Sequence, residues 1–178
     1  MLIGADTALA EEYTRSVGHL EGEYVDRVRR QRVTYAATLA ADGRVTRLET
    51  TRTARGVAPT HSVLTFSGDS AIIDEDGRMR SVRGATGAQA LAGGASALTE
   101  QLFMRARRLG GDTVQMPILE ISGRGVQTAS IRWIGSDSAV AYSTVEPAQT
   151  YFRVSPSGQL LGVRFTKPPS IRIVRVAK

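Results

Sequence analysis

The chain has 178 residues, 42% hydrophobic and 22% charged, enough apolar material for one core and an ordinary charge content for a globular domain. The absence of cysteine excludes disulfides, thiolate nucleophiles and cysteine-ligated metals. The net charge of +6 and isoelectric point near 10.3 rest on arginine, since Lys167 and Lys178 are the only lysines among 23 basic residues.

At the N-terminus, Met1-Leu2-Ile3 turns polar by Asp6, with neither a basic region nor an apolar stretch of signal-peptide length. This predicts a cytoplasmic protein, or a periplasmic or exported one whose signal has been removed. Period-two alternation then dominates. Strands are predicted at Glu11 to Val17, His19 to Asp26, Gln31 to Ala40, Arg44 to Thr53, His61 to Phe66 and Ala71 to Asp74. Asp42-Gly43 and Asp76-Gly77 supply residues that tolerate the positive φ of type I′ hairpin turns. Residues 84 to 95, rich in Gly and Ala, read as a flexible bridge.

From Ser96 to Leu109 the period changes, and Leu98, Leu102, Ala106 and Leu109 form one helical stripe. Ser96 is the expected N-cap, Gly110-Gly111 the stop, and Arg105, Arg107 and Arg108 complement the C-terminal dipole. Alternation resumes at Thr113 to Ile121, Val126 to Ile134, Ser138 to Val145, Thr150 to Ser155, Gln159 to Thr166 and Ile171 to Val176. A slip at Val174 marks a possible bulge. No apolar run reaches membrane-spanning length; Ala139-Val140-Ala141-Tyr142 is typical.

The expected fold is therefore mainly β. An antiparallel meander forms a curved sheet or incomplete barrel, packed on one α-helix at about 96–109. One domain is expected, divided into an N-terminal meander (10–83), the bridge (84–95), the helix (96–109) and a C-terminal meander (113–177). The core candidates are Val33, Tyr35, Leu39, Val45, Leu64, Phe66, Leu98, Leu102, Ile118, Ile131, Trp133 and Val163.

Chemistry is sparse. His19 and His61 are the two histidines, both on predicted strands, and no Gly-x-Ser-x-Gly elbow or Ser-x-x-Lys accompanies them. No metal-ligand spacing occurs, and Asp74-Glu75-Asp76 lacks the alternation of a calcium loop. Gly84, Gly87, Gly93 and Gly94 match no phosphate-binding fingerprint. Glu21 and Glu23 share one strand face, expected to be solvated. The reading is thus non-catalytic, with no cofactor and no metal.

The candidate interaction surface is arginine: Arg27, Arg29, Arg30 and Arg32 in one cluster, Arg78, Arg80 and Arg83 in a second, and Arg105, Arg107 and Arg108 on the helix. Tyr24 and Tyr35 flank the first cluster, an arrangement that could stack bases. No nucleic-acid-binding signature accompanies it, so nucleic acid is not the expected partner.

The segment Tyr35 to Leu48, with Asp42-Gly43-Arg44-Val45 followed by Arg47-Leu48, finds an echo in Tyr151 to Val163. In this pattern the chain resembles uncharacterised exported bacterial β-meander proteins, and periplasmic half-barrels similar to lipoprotein carriers. The resemblance implies an interaction domain, an accessory subunit docking on a larger envelope or membrane-associated assembly. It also implies an alternative, a periplasmic carrier of a lipid or other hydrophobic ligand. A nucleic-acid-binding β domain is the third reading.

Overall fold

In a computed structural model, the structure describes Leu2–Ile3, Asp6–Thr7, residues 9–143, residues 149–165 and Ile171–Arg172. Two short strands, β1 (Leu2–Ile3) and β2 (Asp6–Thr7), precede a seven-stranded antiparallel sheet in sequential order. Its strands are β3 (Leu9–Ser16), β4 (His19–Asp26), β5 (Gln31–Leu39), β6 (Val45–Ala54), β7 (Val57–Ser67), β8 (Ser70–Glu75) and β9 (Arg78–Arg83). The sheet curls into a half-barrel.

A nine-stranded sheet follows, running β10 (Gln89–Leu91), β11 (Thr113–Glu120), β12 (Gln127–Trp133), β13 (Ser138–Ser143), β14 (Thr150–Val154), β15 (Leu160–Phe165), β16 (Ile171–Arg172), β1, β2. The strands nearest the N-terminus thus complete the second sheet, not the first. The one α-helix of the described residues, α1 (Ser96–Leu109), belongs to both cores. Its N-terminal half places Ala97 and Leu98 in the cluster under the first sheet, with Leu20, Leu48, Leu64 and Ile73. Its C-terminal half places Leu102, Phe103 and Ala106 among Val114, Met116, Ile131 and Leu160 of the second. Of the twelve core candidates, Val33, Tyr35, Val45, Leu64, Leu98, Leu102, Ile118 and Ile131 are buried. Leu39, Phe66, Trp133 and Val163 pack on the clusters' margins.

The alternation predicts the meander because one-sided burial fixes register. It does not predict the bridge. Ala85, Ala88, Ala90 and Ala92 are buried, and β10 runs parallel to β11, with Gln89 opposite Ile118. The Gly/Ala stretch is therefore a buried small-residue segment with a three-residue strand within it, not a flexible linker. Two details of the helix also differ from expectation. Ala95, not Ser96, holds the N-cap position without a capping side chain of its own, and Leu109 lies exposed past the last buried turn.

The two hairpins that echo in sequence have one local build. In the β5–β6 turn, Gly43 N–H donates to Ala40 O and Ala40 N–H to Arg44 O, both at 2.8 Å. In the β14–β15 turn, Gly158 N–H donates to Ser155 O at 2.9 Å and Ser155 N–H to Gln159 O at 2.8 Å. A register shift precedes each turn, and both turns press on α1. An added Cβ at Gly43 would lie 2.7 Å from Gln101 Nε2, and one at Gly158 would lie 2.3 Å from Met104 Cγ. Asp76-Gly77 has positive φ at both residues (50° and 82°), as a type I′ turn requires. At Asp42-Gly43 only the glycine does, because the bulge supplies the missing twist. The bulge predicted at Val174 lies outside the described residues.

Candidate functional site

Buried and half-buried polar side chains hold α1 between the sheets. The Glu11 carboxylate of β3 stands at the helix N-terminus, accepting Ser96 N–H at 2.9 Å, Ala97 N–H at 3.3 Å and the Ser96 hydroxyl. It also accepts Tyr35 O–H at 2.6 Å. Tyr35 reaches it because β4 carries Gly22 opposite Tyr35, where any Cβ would sit 2.5 Å from the phenol oxygen. One turn along, Glu100 is 1% exposed and accepts Tyr13 O–H at 2.6 Å and Leu160 N–H at 2.9 Å, with Arg15 Nη2 at 3.5 Å. It thereby ties the helix to β3 on one side and β15 on the other. Burial, and for Tyr35 the adjacent Glu11 charge, hold the phenols of Tyr24 and Tyr35 above the ordinary tyrosine range.

The helix arginines serve the same scaffold. Arg105 Nη1 donates to Gly87 O at 2.9 Å, and burial lowers its guanidinium pKa despite Asp42 nearby. Arg107 donates to Ser136 O at 2.7 Å and lies 4.0 Å over the Trp133 ring. Arg108 donates to Ala41 O at 3.4 Å. In the second cluster, Arg80 donates to Ile121 O at 2.9 Å, whereas Arg78 and Arg83 are exposed. These six arginines do not converge with the first cluster.

Part of the first cluster lines a cleft. A cleft of about 530 Å³ is lined by Val25, Asp26, Arg27, Arg30, Arg32 and Arg55, among others. It lies at the end of the first sheet where the 27–30 turn and the Arg55-Gly56 turn project side by side. Arg55 belongs to a different hairpin from the other three and joins them through the β5–β6 register, in which Gln31 faces Ala54. Arg32 is shared with Glu23 at 3.2 Å, and Arg29, outside the cleft lining, with Asp26 at 3.6 Å. Among the described residues, Arg27, Arg30 and Arg55 have no ion-pair or hydrogen-bond partner for their guanidinium groups. Arg30 has a left-handed backbone, φ 53°, a conformation that favours glycine or asparagine. Val28 in the 27–30 turn and Val57 at the start of β7 are 70% and 65% exposed.

Tyr24 and Tyr35 do not face this cleft's solvent side. They are buried to 4% and 3%, with Tyr24 O–H on Gly93 O and Tyr35 on Glu11. The histidines lie apart on the outer face. His19 Nε2 is 3.2 Å from Glu21, whose pKa that contact lowers, and His61 Nδ1 is 3.2 Å from Thr51. In the acidic knot, Asp74 accepts Gly77 N–H and Asp76 accepts His61 N–H, so both carboxylates stabilise the turn. No group of three potential metal-ligating side chains occurs among the described residues. No described helix is long and apolar enough to cross a membrane.

No family model matches the chain, and no curated protein matches it. Solved structures do. A DUF1089 family protein from Pseudomonas aeruginosa superimposes with TM-score 0.70 at 12% identity, covering 95% of this chain and 94% of its own. A β-barrel-like protein of DUF1849, a domain of unknown function, from Brucella abortus superimposes with TM-score 0.59 at 9% identity, covering 94% of this chain and 86% of its own. These likenesses establish a shared fold with uncharacterised β proteins.

Proposed function

We propose that this chain is a non-catalytic interaction domain, an accessory subunit that docks on a larger envelope or membrane-associated assembly through the arginine cleft. The observation that carries the reading is the contrast between the two ways its arginines are used. Those on α1 are bonded to carbonyls of the fold itself, with Arg107 also over the Trp133 ring, while Arg27, Arg30 and Arg55 have no such partners at an exposed end of the first sheet. Free, adjacent guanidinium groups are a strong recognition element for carboxylate and phosphate oxygens, because each presents a fork of donors. The left-handed Arg30 adds to this, since strained residues concentrate where a side chain is held for use.

The alternative carrier function would place a hydrophobic ligand on the concave side of the first sheet. That side receives Ala97 and Leu98 of the helix and Ala85, Ala88, Ala90 and Ala92 of the segment before it, which favours docking over carriage. The buried tyrosines remove the stacking faces that a nucleic-acid reading would use. The test is co-purification of the tagged full chain from its native membrane fraction, beside a variant carrying Arg27→Glu, Arg30→Glu and Arg55→Glu. A stoichiometric complex with the wild type that is lost in the variant is expected. Equal recovery of the complex by both would refute the cleft as its contact.

A further inference from the structure

The docking edge has a composition that points to one kind of surface. Resting on the interaction-domain reading, we infer that the cleft and its two flanking turns seat this edge on an anionic phospholipid bilayer. The three unpaired guanidiniums meet headgroup phosphates, and Val28 and Val57 enter the interfacial layer. Several observations converge on this.

Valines exposed by 70% and 65%, one within and one beside neighbouring turns, are unfavourable in water. Val28 follows Arg27 in one turn and Val57 follows the Arg55-Gly56 turn, so one surface could cover valines and cations together. Basic residues interleaved with apolar ones at an edge are the pattern by which peripheral proteins hold anionic membranes. The carboxylates at this edge do not cancel the charge: Asp26 is paired with Arg29, and Glu23 with Arg32. The third turn at the same end, Asp76-Gly77, lies between Glu75 and Arg78, which face each other across the β8–β9 pair.

The Arg30 backbone sharpens the case. A four-residue hairpin turn whose last residue has φ 53° is better served by glycine. Arginine at that position gives up stability for a cation in the cleft. Arg30→Gly should therefore raise the melting temperature while weakening attachment, a pairing of effects that a purely structural residue would not produce.

The experiment is co-sedimentation of the full chain with phosphatidylcholine vesicles and with vesicles containing phosphatidylglycerol. Binding is expected to the anionic vesicles only, and to fade as salt shortens the screening length from about 10 Å at 0.1 M to about 3 Å at 1 M. Each arginine should contribute roughly fivefold, so the variant with Arg27→Gln, Arg30→Gln and Arg55→Gln loses on the order of a hundredfold. Val28→Ser should lose roughly threefold to tenfold even where charge is unchanged. Vesicle binding undiminished in the triple variant, with circular dichroism showing it folded, would overturn the inference. So would an anionic oligonucleotide binding the cleft in preference to the vesicles. Absence of vesicle binding alongside a retained stoichiometric protein complex would overturn the lipid assignment and leave the interaction domain standing. Absence of both would remove the two together.

Discussion

Replacing Glu11 tests the strongest link between the first sheet and the helix. Its carboxylate satisfies two helical N–H groups, the Ser96 hydroxyl and the Tyr35 phenol. Loss of an N-terminal cap costs about 1 kcal/mol, and loss of a hydrogen bond to a charged acceptor costs about 1.5–3 kcal/mol. Tyr35 is too buried to recruit solvent in exchange. Glu11→Ala should therefore destabilise the protein by about 3 kcal/mol, or roughly 6–12 °C in melting temperature for a domain of this size. Glu11→Gln keeps an acceptor oxygen and should lose about half as much. Because the two groups share one bond, Tyr35→Phe and Glu11→Ala should be non-additive by about 1–2 kcal/mol. Urea unfolding followed by circular dichroism measures each arm of this cycle. Amide exchange at residues 96–99 should quicken before global unfolding. A Glu11→Ala variant within about 0.5 kcal/mol of the wild type would refute the capping argument.

Four further outcomes follow from the same contacts. Glu100→Ala removes the acceptor for Tyr13 and Leu160 and should cost about 3 kcal/mol in a urea titration, because partners stay buried without a bond. Gly22→Ala places a methyl group against the Tyr35 phenol and the β3 backbone; calorimetry should show a loss of about 1–3 kcal/mol. Arg30→Gly should gain about 0.5–1 kcal/mol by relieving the left-handed backbone, read as a higher denaturation midpoint. Finally, burial favours the neutral phenols of Tyr24 and Tyr35 in the folded state. The unfolded chain therefore loses those protons first, from about pH 10. The stability they contribute is whole below that pH and falls as pH rises above it. Phenolate absorbance should fall short of all five tyrosines until the fold is lost, and a simple titration of all five in the folded protein would contradict this.

The sequence discloses what depends on near neighbours. The helix is readable because its apolar stripe is bounded by Gly110-Gly111, and His19–Asp26 because each of its sides has one destination. The bridge is not readable. Ala85, Ala88 and Ala90 show neither β-branched character nor polar alternation, yet all three are buried, and Ala90 pairs with Leu119 of β11. The cap was misplaced for a similar reason. Ser96 has capping chemistry but stands one residue inside the helix, and the acceptor that matters comes from 85 residues earlier in the chain.

At the candidate site, Arg27, Arg30 and Arg32 are visible as a charge run, whereas Arg55 enters through cross-strand register. The β5–β6 turn length was the available clue. Arg105, Arg107 and Arg108 looked equally free in the sequence. Their engagement depends on carbonyls of Gly87, Ser136 and Ala41, which alternation does not reveal.

The pairing of Leu2 with Arg172 and Ile3 with Ile171 bears on how the molecule assembles during synthesis. The seven-strand meander joins only successive hairpins and can zip as it leaves the ribosome, since short loops close cheaply. Its greasy inner side must nevertheless wait for residues 85–109, and β1 must wait for β16, nearly the whole length of the polypeptide. Until then the nascent chain carries an open seam and an unfilled trough, the kind of surface that chaperones and neighbouring chains engage.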